Sequence, residues 1–412
     1  MTLINTITTC LHRLVPLTSR EVRGGSSLLD KALAIIIVIV AMPSCIKPPL
    51  YLPAEEVVVD IPIIITEMEV VWNVDVDWKT TWHYQWDTED DEFFGKIEYP
   101  KPTNFEVRRY YVGETPRGPH TPGGTDAFTI WGNSFRRAYE FGYYDLLMWS
   151  NIDSKDHTQV VLINEDNLED VTATTTVTRS ASLHAKGQAD ERPTALYNQP
   201  EIFYSTYPRD IHISNDFTDY DYYDEEEKLW VKHINCVLEP LVYIYLVQVI
   251  IYNNEDGRVK GINGDCAISA MASETSVNTG HTSNKPCTVY FNTRMKKNIV
   301  VNGRNTDIIG GKLTTYGLCD MDGYSTDTRA QYHGSRSELP NYLIFELNMS
   351  GGSMQSIKAE VTEQCQSQCH GGVITVEIDA RDVPNPSEGG GSGSIFHPTV
   401  EDYDEVIWDI PM

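Results

Sequence analysis

Few residues in this 412-residue chain have the types and spacing that covalent chemistry needs. It contains no serine on a strand-to-helix elbow, no HExxH, no GxxxxGK[ST] phosphate cradle and no GxGxxG turn between a strand and a helix. The eleven histidines show no ligand spacing on a shared face. Asp and Glu number 59, but nearness in sequence does not select an acid and a base among them. The acidic loop "NDFTDYDYYDEEEK" offers Asp216, Asp219, Asp221 and Asp224 without the glycine and terminal glutamate of an EF-hand loop. "CDMDGYSTD", with Asp320 and Asp322, is equally incomplete, and both read as solvated charge runs. The sequence therefore predicts a protein that is not an enzyme and that carries no cofactor.

Cysteine and tryptophan are the remaining candidates. Six cysteines lie in the second half: Cys236, Cys266, Cys287, Cys319, Cys365 and Cys369. "CQSQCH" resembles half of a metal site, but no second cluster of matching spacing completes it, so no metal is expected. Full pairing of six cysteines allows 15 connectivities, which the sequence leaves open. On one straight strand Cys365 and Cys369 would be roughly 13 Å apart. A disulfide tolerates about 7 Å, so those two pair only across a turn. In "VWNVDVDWKTTWHYQWD", Trp72, Val74, Val76, Trp78, Thr80, Trp82, Tyr84 and Trp86 share one face of a period-two pattern. That row is either the inner face of a sandwich or a sugar-stacking platform with Trp82 and Trp86 as candidate glycan contacts.

The elements that must position these residues begin after a leader. An apolar run of eleven residues, 32–42, follows Lys31 and precedes Pro43, Ser44 and Cys45. It is too short for a spanning helix, which needs about 20 residues, and has the form of a secretory signal. Residues 1–44 are thus expected to be removed, with Cys45 lipidated as the new N-terminus. The cut removes four Lys/Arg and two Asp/Glu, so a net charge of −27 becomes −29. Such a surface repels phosphate backbones and excludes nucleic acid as a partner.

An apolar strand is expected over 57–65, with a turn near Thr66, before the tryptophan row. "FEVRRYYVG", "DAFTIWG", "TQVVLIN" and "VTATTTVT" read as further strands. "SFRRAYEFGYYDLLMWS" reads as a short helix leading into a strand, and "GDCAISAMAS" as a helix or crossover. Residues 242–252 are apolar on both faces and predict a central strand, with a tight hairpin turn at Asp256-Gly257. "CTVYFNT", "KLTTYGLC", "NYLIFELNM" and "GGVITVEID" complete the set. Many short strands and few helices predict an all-β chain of two sandwiches. The expected organisation is signal peptide 1–44, N-terminal sandwich 45–178, linker 179–198, C-terminal sandwich 199–383, and a flexible linker with terminal strand at 384–412. In that last strand Val406, Trp408, Ile410 and Met412 alternate onto one face. It either pairs within its own domain or is supplied to a neighbouring subunit.

"CIKPPLYLP", "WNVDVDW", "SFRRAYEFGYYD", "WSNIDS", "LEPLVYIYLVQV", "AISAMAS", "TTYGL" and "IWDIPM" together resemble the fimbrillin-like outer-membrane lipoproteins of Bacteroidales, related to type V pili. The resemblance runs from Cys45 to Met412. It implies two tandem transthyretin-like β-sandwiches, a lipid anchor at the outer membrane, cell-surface exposure and a role in fimbriae or cell adhesion. The partners it implies are pilus subunits or a surface ligand on host or bacterium. In pilus-forming relatives a protease cuts after an arginine and removes the first strand, which would be 57–65 or its continuation here. Val406, Trp408, Ile410 and Met412 would form the donated strand. No arginine lies between Cys45 and Arg108, which favours an anchor or accessory subunit over a shaft subunit. A glycan-binding outer-membrane lipoprotein is the alternative.

Overall fold

The structure, a computed structural model, describes residues 63–72, 74, 82–150, 160–176, 196–322 and 339–384. The chain divides into 1–61 and 62–412 as compact units, and all described residues belong to the second.

The first half supplies β1 (Ile64–Trp72), helix α1 (Thr88–Phe94), β2 (Asn104–Gly113), β3 (Asp126–Trp131), β4 (Ser134–Tyr139), β5 (Gly142–Ser150), β6 (Val160–Ile163) and β7 (Thr172–Thr175). Next come β8 (Leu196–Tyr197), β9 (Tyr204–Thr206), β10 (Ile211–Ile213), β11 (Tyr222–Asp224) and β12 (Leu229–Pro240). The second half adds β13 (Tyr243–Tyr252), β14 (Val259–Ala272), β15 (Glu274–Ser276), β16 (Pro286–Val301) and β17 (Arg304–Thr315). It ends with β18 (Tyr342–Met349), β19 (Met354–Glu360), helix α2 (Thr362–Ser367) and β20 (Gly372–Asp379).

The first sheet runs β3-β2-β5-β9-β12-β1-β4, with β10 on β5 and β11 on β12. Its two ends approach each other: the Phe128 and Phe135 rings lie 5.5 Å apart, and Arg137 pairs with Asp126 at 3.2 Å. The sheet is therefore wrapped rather than open, which covers the edges that would otherwise invite pairing. The second sheet runs β19-β18-β14-β16-β17-β13-β20, with β8 on β16. The 16-residue β16 serves two layers. Its first half pairs with β14 and its second half, from Thr293, with β17. Between the layers lies a core of Tyr245, Val247, Val249, Phe291, Leu313, Phe345, Ile357, Ile374 and Val376. A small sheet, β15-β7-β6, joins residues of both halves.

Strand β13 shows why its sequence is apolar throughout. Its odd positions, Tyr243 to Ile251, face the second core, whereas Ile244 and Leu246 enter the first core beside Met68, Met148 and Leu238. Both faces are thus covered by protein.

Several expectations change. Residues 204–240 belong to the first sheet, so the strands of the second sandwich run continuously only from β13, although β8 at 196–197 already pairs with β16. Sheet membership is set by long-range pairing, which local composition does not report. Thr66 is fully buried inside β1 instead of turning the chain. Among the described residues the tryptophan row is not a continuous strand: β1 ends at Trp72, and 82–87 forms none. "SFRRAYEFGYYDLLMWS" is two strands, β4 and β5, and "GDCAISAMA" lies within β14. The Asp256-Gly257 turn, with Gly257 at φ 67°, carries the chain to the opposite layer, since β13 pairs with β17 and β20 instead of β14. Residues 57–62 lie outside the described residues.

Candidate subunit interface

Strand β1, "IITEMEVVW", alternates as a half-buried strand should. Ile64, Thr66, Met68 and Val70 are buried, whereas Glu69 and Val71 are exposed. It lies between β12, parallel from Ile64↔Trp230 to Trp72↔Leu238, and β4, antiparallel from Ile64↔Tyr139 to Glu69↔Ser134. Taking β1 away would leave two strand edges facing across one strand's width, floored by apolar side chains.

Charged groups fasten β1 on its outer face. Glu67 accepts from the Arg136 guanidinium of β4 and pairs with His233 Nε2 of β12 at 2.7 Å. Arg136 also reaches Glu227 at 2.8 Å and the Tyr222 hydroxyl at 3.1 Å. Burial opposes ionisation of Glu67, but the hydrogen bonds and charges of Arg136 and His233 prevail and hold its carboxyl below the ordinary range.

The aromatic segment after β1 has a packing role. Trp82, Tyr84 and Trp86 lie against Ile250, Ile308 and Val301 on the outer face of the second sandwich. The buried side chain of Gln248 in β13 accepts from His83 N–H at 2.9 Å and Tyr84 N–H at 3.2 Å. Beside Gln248 in register sits Gly310 of β17, where an added Cβ would stand 2.2 Å from the Tyr84 ring. Asp87 then caps α1 in a capping box with Asp90, and Lys296 binds both carboxylates at 2.6 Å. Trp86 donates from Nε1 to Asp91 at 2.9 Å. Trp82 and Trp86, the candidate glycan contacts, are thus half-buried parts of a strap across the sheet.

The described cysteines, Cys236, Cys266, Cys287, Cys319, Cys365 and Cys369, are all buried. Burial pushes the Cys236, Cys319 and Cys365 thiols up to about 12, which keeps them from acting as nucleophiles at neutral pH. In the acidic loop, Asp216 accepts from Thr218 N–H at 3.0 Å, Asp221 from His233 N–H at 2.6 Å, and Asp224 from Glu226 N–H at 3.0 Å. Those carboxylates are engaged in turns and in binding β12. Cys45, Val406, Trp408, Ile410 and Met412, the expected anchor and contact strand, lie outside the described residues. Sequence reasoning missed the Gln248–Gly310 pair. A polar residue within an apolar strand, opposite a glycine, was the available signal.

No protein-family model matches the sequence, and no curated protein does. Solved structures match at low identity. A candidate adhesin of Bacteroides ovatus is 13% identical with a TM-score of 0.43, over 79% of this chain and 95% of that one. The fimbrial anchor protein Mfa2 of Porphyromonas gingivalis is 12% identical with a TM-score of 0.36, over 76% of this chain and 90% of that one. A candidate cell adhesion protein of Bacteroides eggerthii is 12% identical with a TM-score of 0.37, over 82% and 93% respectively. The solved structures that this chain is similar to are thus named for fimbriae and cell adhesion.

Proposed function

We propose that this chain is a non-enzymatic fimbrial and cell-adhesion protein, anchored by lipid at Cys45 to the outer membrane and exposed at the cell surface. It serves as an anchor or accessory subunit and engages pilus partners by strand addition. The observation that supports this reading best is the seat of β1. With β1 retained, paired on both edges and buried on its inner face, the first sandwich has no strand position to offer between β4 and β12. Such a subunit can give a strand without receiving one there, and the strand it gives is 406–412, with Val406, Trp408, Ile410 and Met412 as the contact face.

Two experiments test this. Mass spectrometry of protein from native membranes is expected to find lipidated Cys45 as the mature N-terminus with β1 intact. A terminus between residues 65 and 79 would mean that β1 is cut away and the chain polymerises as a strand acceptor. Deletion of 405–412 is expected to leave a folded protein that no longer associates with partner subunits. A truncated chain that fails to fold would make the strand internal and overturn the donor role.

A further inference from the structure

Two loops of the first sandwich and one of the small sheet enclose a cleft of about 370 Å³, lined by Arg117, His120, Asp166, Leu168, Glu169 and Arg209 among others. They connect β2 to β3, β6 to β7, and β9 to β10. The first two are tied together by Gly123 N–H donating to the Asp166 carbonyl at 2.6 Å. Each loop holds a non-glycine residue in the left-handed region: Arg117 at φ 62°, Asn164 at φ 57° and Asp210 at φ 53°.

The support beneath the cleft is a buried carboxylate. Asp145 of β5 has a side chain only 2% exposed, yet carries a carboxyl group. It pairs with His120 Nε2 at 2.7 Å, and accepts from Asp210 N–H at 2.7 Å and the Tyr207 hydroxyl at 3.3 Å. The guanidinium of Arg209 stands 4.0 Å away. One carboxylate thus joins the first and third loops to the sheet and fixes the His120 ring. The other ring nitrogen, Nδ1, faces Glu169 at 3.7 Å. The buried Tyr110 hydroxyl, whose ring meets His120 edge-on at 5.4 Å, has no hydrogen-bond partner among the described residues.

We infer that this cleft binds a neutral polyhydroxylated ligand, a glycan, through Arg117, His120, Asp166, Glu169 and Arg209. The lining opposes two guanidinium groups to two carboxylates. An anion that suits Arg117 and Arg209 meets Asp166 and Glu169, and a cation meets the reverse conflict. A hydroxyl group both donates and accepts, so a sugar ring satisfies both walls without net charge. Pro119, Pro122 and Leu168 give an apolar surface for its C–H face. The volume lies near the lower end of the roughly 300–1,000 Å³ of small-molecule sites, room for a short saccharide. This assignment rests on the adhesion reading and names the ligand class it would use.

The test is an array of neutral and acidic glycans probed with the mature chain, followed by calorimetric titration of the best neutral glycan. Arg117→Ala and Glu169→Gln alter side chains that are 81% and 69% exposed, so the fold should tolerate both. Each is expected to weaken binding at least about tenfold, the loss of one hydrogen bond to a charged group, with the unfolding midpoint unchanged. Three outcomes overturn the assignment: no neutral glycan binds, both variants bind as the native chain does, or only acidic glycans bind. Association with pilus subunits is measured on the same samples. Subunit association without glycan binding removes the cleft assignment and keeps the fimbrial reading; glycan binding without association does the opposite.

Discussion

A single amide decides how the strap meets the second sandwich. Gln248 offers one oxygen to two backbone N–H groups, and its Nε2 donates to Thr375 Oγ1 at 2.8 Å. Replacing it with leucine leaves those donors without an acceptor. Gln248→Leu is therefore expected to cost about 1–3 kcal/mol in denaturant unfolding. Gly310→Ala acts on the same contact from the next strand, because its methyl group would enter the Tyr84 ring. Its expected cost is also about 1–3 kcal/mol. Since both changes loosen one strap, the double variant should lose clearly less than the sum, and full additivity would show that the two sites are independent. The effects should appear in stability and not in glycan binding, because the cleft and the strap share no residue.

At the level of the element, β1 couples sheet pairing to charge. Glu67 has a lowered pKa, so it favours the folded state above its ordinary value of 4.5, and that contribution disappears as pH falls through the lower folded value. Urea unfolding followed from pH 7 downward should show the native chain losing its advantage over Glu67→Gln in that acid range. The side chain is about a quarter exposed, which limits the difference to about 0.2–1 kcal/mol. An unchanged difference at all pH values would mean that the Arg136 and His233 contacts do not hold β1. Strands β2, β3, β6, β7 and β13 were legible from alternation, apolar runs and turn residues. The division of one segment into β4 and β5 was not, because "FRRAYEF" also suits a helix and only pairing with β1 and β2 makes each half a strand. Thr66 misled for a similar reason. A polar residue after an apolar run resembles a turn, yet its hydroxyl reaches the Arg137 carbonyl at 3.4 Å across the β1–β4 ladder.

Across the whole molecule, the described thiols are buried within the packing and carry none of the chemistry. The native chain should leave all six unreactive toward a water-soluble disulfide reagent, and unfolding should expose them together. Fast reaction of any of them before unfolding would contradict the placement. The all-β class, the position of most strands and the lack of familiar catalytic motifs were readable along the chain, because strand periodicity and motif spacing are local properties. The sequence could expect the apolar faces of β13 to be covered without saying by what. Folding alone set one face of β13 in each sandwich, joined 204–240 to the first sheet, and laid the tryptophan segment as a strap across the second. It alone brought Asp145 beneath His120, from a different strand and loop. Those relations join residues distant in sequence, and the free energy that selects them exists only once the surfaces meet.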